Sequence, residues 1–75
     1  MQFEITINSL RWVLDKKDNG WVRVLGRFGD NELYCHLTAI DIHSALQYVW
    51  AFYNNPLMKP LTVEDLMPVK AEDEN

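Results

Sequence analysis

The chain has one cysteine, Cys35, among its 75 residues. No internal disulfide is therefore available, and a core this small must be held by packing, by a metal or by a partner chain. No apolar run approaches the roughly 20 residues of a membrane-spanning helix. Glu4 stands where the start of a signal peptide would carry basic residues. These features predict a cytoplasmic setting with a reduced thiol and no membrane association. Glycine is scarce, and Gly20, Gly26 and Gly29 stand apart, so no loop of the phosphate-cradling kind is present. Basic residues are outnumbered, seven against eleven acidic ones, for a net charge of −4. That balance opposes nonspecific attraction to nucleic acid or anionic lipid.

What remains fits a globule: hydrophobic residues make up 48% and charged residues 24%, outside the range of disordered chains. Residues 1–69 are expected to form a single α+β domain, of which 56–69 are an arm. Residues 70–75, with Glu72, Asp73 and Glu74, are expected to be an acidic, disordered tail. Charge is divided along the chain. Residues 1–27 hold five basic side chains against three acidic ones, whereas residues 28–75 hold two against eight.

Phe3, Ile5 and Ile7 alternate with polar residues in the period of a half-buried strand. Leu10, Trp12 and Leu14 continue the pattern at even positions, so the inward parity changes across Asn8 and Ser9, as a bulge or break would produce. A polar run from Asp15 ends in Asn19-Gly20, a hairpin connection. The returning strand, 21–28, turns Val22 and Val24 to one face and Trp21, Arg23, Leu25 and Arg27 to a wetter one. After a turn at Gly29-Asp30-Asn31, Leu33, Cys35 and Leu37 alternate with Tyr34, His36 and Thr38. The expected architecture is a three-stranded antiparallel meander packed on one α-helix, with Ile5, Trp12, Val24, Leu37, Leu46 and Val49 inward.

The period becomes helical over 41–53, where Ile42, Ala45, Leu46, Val49 and Tyr53 recur at spacings of three and four. Asp41 or Thr38 caps its start, and Asn54-Asn55-Pro56 ends it. Trp50 on one flank, with Phe52 and Tyr48 on the other, make the apolar arc wider than one sheet needs. Beyond it, three prolines punctuate an extended arm containing one short helical turn begun by Thr62.

The segment Ala39-Ile40-Asp41-Ile42-His43-Ser44-Ala45-Leu46-Gln47, following paired strands, resembles the helix start of small bacterial and phage proteins with a strand-strand-strand-helix layout. The resemblance covers about residues 3–53. It implies the fold and no activity or site residues.

Chemistry is thinly represented. Cys35 and His36 are the types of a thiol–imidazole pair, but adjacent strand residues point to opposite faces, so Cys35 is expected to be a buried, inert thiol. His36, Asp41 and His43 are metal-ligand types at a spacing that matches no zinc signature. No catalytic residue, metal or cofactor is expected. The richest surface is the outer sheet face, with Arg11, Trp21, Arg23, Arg27, Tyr34 and His36 around Val13 and Leu25. Arginine and aromatic side chains anchor protein interfaces, and they also engage phosphates and stack on bases. The expectation is a noncatalytic protein-interaction module, an accessory or inhibitor of the phage or mobile-element kind. A nucleic-acid accessory protein using the same face is the alternative. A homodimer is also expected, with Tyr48, Trp50, Phe52, Leu57 and Met58 as its interface and the arm packing in cis or in trans.

Overall fold

The computed structural model describes residues 1–29 and 32–69, the backbone alone over 32–36. The fold is α+β. Strands β1 (Gln2–Ile7), β2 (Leu10–Lys16), β3 (Val22–Phe28) and β4 (Glu32–Ala39) form an antiparallel meander, and helix α1 (Ile42–Phe52) follows it. The arm makes a 3₁₀ turn at Val63–Asp65 and a two-residue strand, β5 (Met67–Pro68). The spatial order is β4-β3-β2-β1-β5.

The meander is thus larger than the three strands expected, because Asn8 and Ser9 reverse the chain instead of bulging it. Both have positive φ, 51° and 71°, the combination that a two-residue type I′ hairpin requires. Ile7 pairs directly with Leu10. Residues directly opposite each other share a face, so the parity switch read from the sequence is the signature of this turn. The second hairpin closes where expected, through bonds from the Lys17 N–H to the Trp21 carbonyl (2.8 Å) and from the Gly20 N–H to the Lys17 carbonyl (3.0 Å), with Gly20 at φ 93°. A register shift does occur, but between Gly26 and Arg27, which face Cys35 and Leu33 so that Tyr34 falls between them.

Helix α1 lies on the face carrying Leu10, Trp12, Leu14, Val22 and Val24, and adds Ala45, Leu46 and Val49 to the same buried cluster. Ile5, Ile7, Leu37, Ile42, Tyr53, Leu61 and Leu66 pack around it. Asp41 is the N-cap: its carboxylate accepts from the Ser44 N–H at 2.8 Å, while its extended backbone stands outside the helix. The helix stops at Asn54, whose φ of 49° suits the left-handed residue that follows a helix. Thr62 opens the 3₁₀ turn as the sequence suggests, its N–H donating to the Asp65 carboxylate at 2.8 Å.

A polar relay pins the helix end to the first hairpin. The Trp12 indole N–H donates to the Tyr53 hydroxyl (2.8 Å), which donates to the Ile7 carbonyl (2.9 Å). Phe52 stands edge-on to Trp12 with centroids 5.1 Å apart. The arm closes in cis. The Trp50 indole N–H donates to the Met58 carbonyl at 2.8 Å, and β5 pairs Met67 with Glu4 and Pro68 with Phe3. The Val69 N–H then reaches the Gln2 carbonyl at 3.0 Å.

Candidate binding face

The outer sheet face is set by strand register. One cross-strand row runs Glu4, Val13, Leu25 and the backbone position of His36; the next runs Thr6, Arg11, Arg27 and that of Leu33. A third runs Gln2, Asp15, Arg23 and Thr38. Arg11, Arg23 and Arg27 are therefore brought together around Val13 and Leu25, as their parity predicts. Trp21 lies at the hairpin end of this face, exposed, its N–H bonded to the Asn19 side chain at 3.0 Å. The side chains of Tyr34, Cys35 and His36 lie outside the described residues, as does the 70–75 tail.

Val13 is only 9% exposed, although α1 packs on the opposite face. Its cover comes from within the sheet, where Glu4 and Leu25 are its direct cross-strand neighbours and Arg23 and Arg27 its diagonal ones. Aliphatic stems of arginine shield apolar surface while their heads stay in water. The result is a dry centre with a cationic rim.

Two carboxylates share this rim with the arginines. Glu4 forms an ion pair with the Arg11 Nε. Asp15 accepts from the Lys17 Nζ at 2.8 Å and lies 4.0 Å from the N-terminal amine. The Lys17 hydrogen bond is the largest influence holding the Asp15 carboxyl below its ordinary value, against a smaller opposing effect of burial. The signal for both was present in the alternation: Glu4 is out of phase with Phe3 and Ile5, and Asp15 with Leu14. Once the Asn8-Ser9 turn folds β1 against β2, the even positions of one strand join the odd positions of the other.

The residues expected at a dimer interface separate onto two flanks of α1. Trp50 is half-buried and tied to Met58, and with His43, Leu46 and Gln47 it faces Pro60 and Leu61 of the arm across an open cleft of about 370 Å³. Leu57 is 93% exposed at the start of that arm. Tyr48 and Phe52, 52% and 41% exposed, occupy the other flank.

Among the described residues, no group of three His, Cys, Asp or Glu side chains is placed to hold a metal ion, and no helix is long and apolar enough to cross a membrane. No protein-family model, curated protein or solved structure matches the chain.

Proposed function

We propose that this chain is a small noncatalytic interaction module whose outer sheet face binds a protein partner. One observation carries the reading: a face that no described helix covers sets the partly exposed Leu25 beside Val13 within a frame of Arg11, Arg23, Arg27 and Trp21. An apolar centre with an arginine and aromatic rim is the anatomy of a protein-binding patch. Its complement is a surface that offers apolar contact and charges of both signs, acidic opposite the arginines and basic opposite Glu4 and Asp15. Glu4 and Asp15, interleaved with the arginines, weigh against the alternative of a nucleic-acid backbone, whose phosphates they would repel. The noncatalytic reading rests on the placement of Cys35 and His36 as neighbours on one strand. A two-fold homodimer belongs to the same proposal, as does an accessory or inhibitor role of the phage or mobile-element kind.

Affinity capture with the full chain and with an Arg23→Glu/Arg27→Glu variant of equal thermal midpoint tests the face. A protein retained by the first and released by the second is the expected result. Retention by both would place binding elsewhere. Tight, steeply salt-dependent binding of single-stranded oligonucleotides, lost in the same variant, would transfer the face to nucleic acid.

A further inference from the structure

The chain treats the two edges of its sheet differently. At β1 the arm returns, pairing β5 with Phe3 and Glu4 and bonding Val69 to Gln2. At the other end, the eight-residue strand β4 pairs with β3 alone among the described residues. Exposed edges are ordinarily guarded by lysine, proline, a β-bulge or inward-pointing charge. Glu32–Ala39 contains no lysine, arginine or proline, and its one acid stands at the first position. The register shift disturbs only the part of the ladder around Tyr34; from Cys35 to Ala39 the pairing with β3 is regular.

A second observation falls on the same side of the molecule. His43, Gln47 and Trp50 face the arm, and the arm joins the sheet at β1. At about 100° per residue, Tyr48 and Phe52 lie on the opposite flank of α1, toward β4. Phe28, 58% exposed, belongs to the same sheet face through its pairing with Leu10. Three partly exposed rings therefore accompany the open edge on the helix-bearing side.

We infer that β4 pairs antiparallel with β4 of a second copy, about a two-fold axis perpendicular to the sheet. This deepens the homodimer reading above and rests on it. Antiparallel pairing of a strand with itself satisfies two-fold symmetry, so one edge serves both copies. The sheet becomes continuous across the pair, both helices lie on the same side of it, and Tyr48 and Phe52 of each copy turn toward the other. Area separates a second copy from a lone peptide strand. At about 200 Å² per ring, roughly half of it exposed, three rings from each copy bring on the order of 600 Å² to the contact. That is about half of the roughly 1,200 Å² at which stable interfaces begin, and the two strand edges lie in line to supply the rest. A peptide added to β4 would complete the ladder and leave the rings in water.

The test is sedimentation equilibrium together with amide hydrogen exchange of the intact chain over a dilution series. The expected result is a dimer in which the β4 amides that point away from β3 lose protection on dilution, while those bonded to β3 and those of β2 do not. Tyr48→Lys, which sets two ammonium groups against each other across the axis, is expected to raise the dimer dissociation constant at least tenfold with the monomer's thermal midpoint unchanged. A chain that stays monomeric throughout would overturn both this contact and the homodimer reading. A dimer whose β4 amides exchange alike at all concentrations, and which survives Tyr48→Lys, would overturn the β4 contact alone. The exchange experiment uses the unaltered chain, so it decides for or against the β4 contact even where the variant misfolds.

Discussion

The six-membered ring of Trp12 rests against Gly26, its direct cross-strand neighbour: a Cβ placed on Gly26 would lie 2.9 Å from Cζ3 of the indole. Glycine in mid-strand ordinarily weakens a sheet, and here its missing side chain is the space the indole fills. Trp12 has little room to withdraw, since Tyr53 holds its N–H and the Phe52 ring packs against it. Gly26→Ala is therefore expected to destabilise the fold by about 1–3 kcal/mol, the usual cost of overpacking. Urea unfolding followed by tryptophan fluorescence measures it, and an unchanged midpoint would show that the ring moves aside freely.

Tyr53→Phe removes one hydroxyl and strands two groups, the Trp12 N–H and the Ile7 carbonyl. Leaving buried or half-buried partners unsatisfied costs about 1–3 kcal/mol. The expected change is a lower unfolding midpoint with near-native circular dichroism. An equally stable variant would mean that water replaces the hydroxyl in both bonds.

The first hairpin turn invites the opposite sign. Ser9 holds φ at 71°, a region that costs a residue with a Cβ about 1 kcal/mol and glycine nearly nothing. Ser9→Gly converts the pair to Asn-Gly, the preferred type I′ sequence, and is expected to raise stability by about 0.5–1 kcal/mol. A loss of stability on thermal denaturation would count against a type I′ turn at this position.

Acid weakens the helix cap. The Ser44 N–H is the largest influence holding the Asp41 carboxyl below its ordinary value of 3.8. A carboxyl whose folded-state value is depressed contributes stability that is fully present above its unfolded value and is lost as pH falls through the folded one. Asp15 is displaced in the same direction and adds to the acid sensitivity. Asp41→Asn keeps a side-chain oxygen at the cap but removes the titration, so its stability should fall less between neutral and strongly acidic pH than that of the parent. Parallel pH profiles for the two chains would contradict this.

Truncation after Asn55 removes Leu61 and Leu66 from the core margin and the Met58 carbonyl from Trp50. Partial burial of two leucines is worth roughly 2–4 kcal/mol, a large share of the margin of so small a domain. The shortened chain is expected to unfold at a markedly lower temperature, with Trp50 emission shifted to the red. A shortened chain as stable as the parent would show that the arm contributes no net stability.

Much of this fold was legible because alternation and helical period report directly on burial. Val22 and Val24 faced inward, Arg23 outward, and Asp41, Thr62 and Asn54 marked element ends by their local chemistry. The extra strand was hidden because Asn8-Ser9 lacks the glycine that usually announces a tight hairpin, so a reversal read as a slip in parity. The cis course of the arm was equally hidden: β5 is two residues long, with proline in one of them, and its pairing with β1 follows from distant contacts that no local pattern encodes. At the candidate face the arginines were visible singly, and Asp15 beside Arg23 follows from the expected Asn19-Gly20 hairpin, whereas the arrival of Glu4 depended on the hidden turn.

The β5–β1 pairing also orders events in time. Every other strand pairing among the described residues joins neighbours in the chain, each closed by a short connection, whereas Phe3 meets Pro68 across roughly 65 residues. Closing that loop carries the largest entropy cost and becomes favourable only once α1 has settled and given Leu61 and Leu66 a surface to meet. The meander and helix are therefore expected to assemble first from local contacts, with the arm docking last. During synthesis the free side of β1 waits until residues 67–69 emerge, so a nascent chain stalled before the arm would leave β1 as well as β4 without a second strand neighbour among the described residues.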